Sequence, residues 1–344
     1  MYNQINGRYF TIFFKKEDGY MKKFMSLVLL LGLGILTGCS DNASNPTTST
    51  VVESTSASTS DDDDVLTGLN TVDLDYDSFK ESYGEASLTL DGEVLEAVDG
   101  VYTINVQETK LELTLTGYFE GRIVIQNGNS LTSYKGITLN LSNAFIVNSD
   151  EATIDYTLDE KNIEIISVKK TTNYIVNTSE TNYDGHGINS ANNIEMKIQS
   201  GTNLYLYTVH GHTAKADGDF KIIGPGNIYL SSGHDAIHCH NFTTTNSGTF
   251  TGTFTVTNAI SQAIEASETD KEGTANITGG TFVINNSESV IKADYAVNIT
   301  AGSLTSEGIW SDPFVRGANR TLYVNITDGV SVIINGETFT TYEV

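Results

Sequence analysis

Five short segments of this chain repeat one pattern: GHGINSA at 185–191, GHTAKAD at 211–217, HDAIHCH at 234–240, SQAIEAS at 261–267 and ESVIKAD at 288–294. Their anchors, Ile188, Ala214, Ile237, Ile264 and Ile291, stand 23 to 27 residues apart. A period of that length demands a stacked repeat, because one such unit cannot bury its own apolar face. After the anchor comes a second run, such as NIEMKI at 193–198, FKII at 220–223, ANIT at 275–278 and VNIT at 297–300. One or two glycines later comes a third: NLYLY at 203–207, NIYL at 227–230, TFTV at 253–256, TFVI at 281–284 and SLTS at 303–306. Apolar and polar residues alternate in these runs, the period of a strand with one buried face. Three short strands per turn predict an all-β fold, a right-handed parallel β-helix in which each coil buries its neighbour.

The inward positions form columns. Leu204, Ile228, Phe254, Phe282 and Leu304 make one, and Leu206, Leu230, Val256 and Ile284 the next. Ser190, Ala216, Cys239, Ala266 and Ala293 make a narrow one, where Cys239 is a small buried residue. The 31 glycines, with Asn, Thr and Ser, fall at the joints between strands, where turns require them. A net charge of −24 argues against nucleic acid and anionic membrane surfaces as partners.

Residues 21–39 read MKKFMSLVLLLGLGILTGC. Two lysines precede an apolar run too short for a comfortable membrane span, which fits a signal peptide. LTGC resembles the lipobox of bacterial lipoproteins, which implies lipidation of Cys39 and an anchor on the extracellular face of a bacterial membrane. Met21 is then the expected start of translation, with 1–20 an upstream segment. Residues 40–64 are almost all Ser, Thr, Asp, Asn and Ala and cannot bury enough apolar surface to order themselves. They read as a tether, and Asp61–Asp64 within it as a solvated acidic patch. Residues 65–136 are an N-terminal cap and first coils, with a short helix near Tyr76–Tyr83. Residues 137–306 form the solenoid, and 307–344 close its other end. The expected state is a monomer.

The succession GITLNLSNAFI, NIEIISVKKTTNYIVN, DGHGINSANNIEMKI, TAKADGDFKIIGPGNIYL and SGHDAIHCHNF resembles the secreted bacterial carbohydrate-binding β-helix proteins. The resemblance implies binding of acidic pectic polymers, calcium ions along the helix, and coils like those of β-helical pectate lyases. In that family the turn before the anchor is usually rich in Asp, which supplies calcium ligands. Here the position two before the anchor holds His186, His212, Asp235, Gln262 and Ser289, so only Asp235 matches. Asp217 and Asp294 also look like family acidic positions.

Stacking makes neighbours of residues at equal repeat positions. One outward column is Asn189, Lys215, His238, Glu265 and Lys292, and another is Ala191, Asp217, His240, Ser267 and Asp294. All six histidines of the chain lie between 186 and 240. Three functional readings follow, set against a hydrogen-bonded polar ladder and a purely structural surface spacer. In the first, Lys215, Lys292 and His238 meet the carboxylates of an acidic polysaccharide, and Tyr205 and Tyr229 form an outward aromatic platform. In the second, His212, Asp217, Asp235, His238 and His240 hold a metal. Calcium is implied by the resemblance, and zinc is favoured by the histidines. The third is a calcium-dependent lyase with Lys215 as base. The expected function is a non-catalytic, metal-assisted binder of pectin-like acidic polysaccharide.

Overall fold

The alternation of each run becomes a ladder of parallel strands. The anchors pair in unbroken register, Ile188 with Ala214, Ala214 with Ile237, Ile237 with Ile264 and Ile264 with Ile291. The same column runs back through Ile154 and Ile123 to Tyr102 and forward to Phe314. A second column joins Ile163, Ile194, Phe220, Phe242 and Ala275. A third joins Leu204, Ile228, Phe254, Phe282 and Leu304. These side chains are buried and belong to one continuous core. The fold is a parallel β-solenoid.

This is a computed structural model. It describes residues 4–5, 8–9, 74–106, 111–127, 136–158, 161–245, 248–267, 272–317 and 321–344. The signal segment with Cys39, the tether at 40–64 and the run Asp61–Asp64 lie outside these residues. The chain forms two units, Met1–Thr59 and Ser60–Val344. In the first, Gln4–Ile5 pairs antiparallel with Arg8–Tyr9. The repeats all lie in the second.

The parallel register extends past 137–306 at both ends. Val101–Val106 pairs parallel with Arg122–Asn127, and Ser303–Ser306 with Ser331–Ile334. Antiparallel strands then finish the ladder. Ser87–Leu90 lies antiparallel to Leu113–Thr116, and Tyr342–Glu343 lies antiparallel to Tyr323–Val324.

The helix Tyr76–Tyr83 starts on an Asp75 side chain that accepts the Ser78 N–H at 3.1 Å. It stops at Gly84, whose φ of 70° is left-handed backbone that suits glycine. The helix packs on the outward side of the third strand column. There Tyr118, Phe145, Tyr174, Tyr205 and Tyr229 occupy successive rungs. Phe79 sits 4.6 Å from the Phe145 ring and 5.2 Å from the Tyr174 ring. Tyr205 is stacked 4.7 Å from Tyr174 on one side and 4.7 Å from Tyr229 on the other. Its exposure is 3 %. This corrects the expected platform: Tyr205 points away from the solenoid axis, but its ring faces are covered within the aromatic ladder. Tyr229 at the end of this stack is half-buried.

The small-residue column begins only after Tyr156, a full-sized buried ring in register with Ser190. Beyond it Cys239 pairs with Ala266 and Ala266 with Ala293, all buried. The Cys239 thiol lies 3.6 Å from the Glu265 carbonyl oxygen. Cys239→Leu should therefore cost about 1–3 kcal/mol through overpacking. Chemical denaturation measures this, and an unchanged transition would contradict the crowding assigned to that corner.

Candidate functional site

Between the third strand of one coil and the anchor strand of the next lies a short turn, repeated at 209–213 and 233–236. Side-chain oxygens of the preceding strand hold it. Thr208 Oγ1 donates to the Gly211 carbonyl at 2.6 Å, and Ser232 Oγ donates to the Asp235 carbonyl at 2.7 Å. The coils approach so closely here that a β-carbon on Gly233 would sit 1.9 Å from the Val209 carbonyl oxygen. Just before this turn, the pairing with the next coil shifts register between Leu230 and Ser231. Bulges of this kind re-aim the residues that follow.

The turns of adjacent coils surround one carboxylate. Asp235 is fully buried. Its Oδ2 lies 3.2 Å from His234 Nδ1, 3.3 Å from His238 Nδ1 and 3.3 Å from His212 Nδ1. Its Oδ1 accepts the Gln262 backbone N–H at 3.0 Å. With the amide nitrogen of Gln262 turned inward, that side chain also donates to Asp235 Oδ1 at 3.0 Å and to Glu265 Oε2 at 3.1 Å. Glu265, one coil on, accepts from Lys292 Nζ at 2.6 Å and from Ser267 Oγ at 2.6 Å. Four coils thus contribute to one polar cluster.

The charges sort by environment. Burial pulls the His212 imidazole down to about 3, against the partly offsetting Asp235 charge. Burial and the Lys215 charge bring His186 to about 4. Both rings are neutral near neutral pH. Burial also opposes charge on His238, but hydrogen bonds to Asp235 and Glu265 outweigh it and raise the ring to about 9. Burial opposes the Asp235 charge in the same way, yet hydrogen bonds from His234 and His238 hold the carboxyl well below the usual range. The two buried carboxylates are thus balanced by the His238 imidazolium and the Lys292 ammonium.

Beside the cluster opens a cavity of about 170 Å³, whose lining includes Tyr183, Asp184, His186, Lys215 and His234. At its mouth stands Tyr183, 68 % exposed, its ring 4.0 Å from that of His210.

The outward column appears as expected, with Asn189, Lys215, His238, Glu265 and Lys292 in register. The five-residue metal set does not come together. His212, Asp235 and His238 bring ligand atoms within 4.8 Å of one another. His240 and Asp217 stand apart from that group. The anchor strand ends at Cys239, so alternation does not carry His240 to the His238 side. Instead, its Nδ1 lies 3.8 Å from Asp219 Oδ1 and 3.2 Å from Asn241 Nδ2. Asp217 likewise follows the end of its strand, exposed, 3.8 Å from Lys215 Nζ. Lys292 is in its column, but its ammonium is held by Glu265. His234 joins the cluster without having stood out in the sequence, where its signal is its place next to Asp235. Tyr183 joins the site from a longer turn outside the repeat, where periodicity carries no signal.

The implied calcium does not match this donor set. Calcium takes six to eight oxygen ligands, whereas the cluster offers imidazole nitrogens around one carboxylate whose second oxygen already serves Gln262.

Residues 96–343, which take in nearly the whole of the parallel ladder, match the family model described as carbohydrate-binding domain-containing protein. The chain belongs to this family. No curated protein matches it. Among solved structures, this carbohydrate-binding domain protein is similar to the polysaccharide lyase-like protein from C. thermocellum, determined as a gadolinium derivative. The identity is 19 %, over 70 % of this chain and 95 % of that one, with a TM-score of 0.49.

Proposed function

We propose that the protein is a non-catalytic binder of acidic polysaccharide, of the polygalacturonate type, and that the cavity beside Asp235 is its binding site. One observation carries this reading: the cavity sets the Lys215 ammonium among imidazoles, with the exposed Tyr183 ring at its mouth. A cation beside N–H donors suits a uronate carboxylate, and a flat ring suits the apolar face of a sugar. Family membership supports a carbohydrate as the partner. Tyr183 here takes the part first assigned to Tyr205 and Tyr229.

Binding is to be measured by calorimetry with oligogalacturonate and with its fully methyl-esterified form. The free acid should bind and the ester should not. Tyr183→Ala and Lys215→Ala should each weaken binding about tenfold, or about 1.4 kcal/mol. Equal binding of acid and ester would overturn the acidic reading. Release of unsaturated uronides would assign a lyase instead.

We also propose that Cys39 is lipidated and holds the domain on the outer face of the cell membrane, on the strength of the LTGC motif after an apolar run. Cys39→Ser should shift the protein from the membrane fraction to the soluble fraction and abolish incorporation of labelled lipid. Unchanged fractionation and labelling would refute the anchor.

A further inference from the structure

We propose that His212, Asp235 and His238 form a site for a divalent transition-metal ion of the zinc class, with an open coordination position toward the cavity. Three observations carry it. First, one ligand atom from each residue lies within 4.8 Å of the other two, across two adjacent coils. Second, the two separations from the carboxylate oxygen suit a small tetrahedral ion. Bonds of about 2.0–2.1 Å at tetrahedral angles put neighbouring donors about 3.3 Å apart. Asp235 Oδ2 lies 3.3 Å from Nδ1 of His212 and 3.3 Å from Nδ1 of His238. Third, Nδ1 of His212 is buried and makes no directed hydrogen bond, although it faces that carboxylate oxygen. A buried polar atom left without such a bond is costly and calls for a partner. A metal ion would supply one.

The donor chemistry selects the ion. Two imidazoles and a carboxylate are a set that zinc and its neighbours bind, while calcium and magnesium require mostly oxygen. The surrounding cluster supplies what such sites need beyond the ligands. Asp235 is oriented through Oδ1 by the Gln262 backbone N–H. Outer partners of this kind fix ligand orientation. His212 belongs both to the triad and to the cavity lining, so the fourth position opens where a sugar oxygen can reach it. His234, with Nδ1 3.2 Å from the same carboxylate oxygen, stands beside that position.

This inference deepens the reading of the same site, but its test needs no glycan. Full-length protein without an affinity tag is dialysed against EDTA and titrated with zinc chloride or calcium chloride alone. Bound metal is counted, and cobalt loading is followed by visible absorption. One zinc per chain is expected, displaced by cobalt with the intense visible bands of a four-coordinate site. Calcium should neither compete for zinc nor quench those bands. His212→Ala and His238→Gln should each weaken zinc at least about a hundredfold, with thermal unfolding confirming that both variants fold. His240→Ala should leave zinc binding unchanged. Absence of stoichiometric zinc in the wild type would overturn the proposal, as would zinc binding indifferent to both ligand variants or lost equally in His240→Ala. Zinc bound without any response to oligogalacturonate would leave the metal site standing and remove only the glycan reading.

Discussion

Asp235→Ala will be among the most damaging single substitutions in the solenoid, at a cost of about 3–5 kcal/mol. The carboxylate is fully buried, and three imidazoles and a backbone N–H converge on it. Its removal leaves the His238 imidazolium with Glu265 as its only near carboxylate among the described residues, and leaves the Gln262 N–H without its acceptor. Urea unfolding in EDTA measures the loss. Asp235→Asn, which keeps an acceptor oxygen but loses the charge, should fall between. A cost below about 1 kcal/mol, the scale of an exposed ion pair, would mean that water or a moving side chain replaces the carboxylate.

Phe282→Ala should cost a comparable amount, about 3–5 kcal/mol, by opening a cavity in the core. Its ring is fully buried, 4.9 Å from Phe254 and 6.3 Å from both Phe242 and Phe250. No small rearrangement fills the gap, because two of the three neighbouring rings, Phe242 and Phe254, are held on strands. Each coil of a solenoid touches only its neighbours, so the damage should be local. Amide exchange should quicken in Thr253–Val256, Thr281–Ile284 and Ser303–Ser306 and stay unchanged in Ile163–Ser167. Uniform acceleration would show that the coils unfold as one unit.

The register of the solenoid was legible in the sequence because strand alternation and repeat period are independent signals, and both selected Ile188, Ala214, Ile237, Ile264 and Ile291. The outward column from Asn189 to Lys292 followed from the same arithmetic. The helix at Tyr76–Tyr83 was also visible, but its docking place was not. Alternation separates inward from outward; it does not say what lies on top of an outward face. Tyr205 was therefore read as surface, although it is covered within the aromatic ladder. His240 was misplaced for a different reason. Alternation holds only within a strand, and the anchor strand is three residues long, Ile237–Cys239. Past its end the backbone turns, and the side chain goes to Asp219. The convergence on Asp235 was only half visible, because it depends on turn geometry that the bulge at Leu230/Ser231 helps to set.

The spacing of the rungs has a consequence for how this cluster can vary. Its members sit on separate coils, and the distance between coils is set by backbone hydrogen bonds at about 4.8 Å. A side chain cannot drift along that axis by small amounts. If pairing slips by one residue, its direction inverts, and if a coil is gained or lost, its partner moves by a whole rung. The arrangement around Asp235 is therefore digital. Excision of the coil from Ala214 to Ala236 would leave the His212 turn against His186 and joined to the Ile237 strand, but it would remove Asp235, the carboxylate on which the imidazoles converge. The cluster belongs to the order in which the coils are stacked, and the shortened stack would lack it.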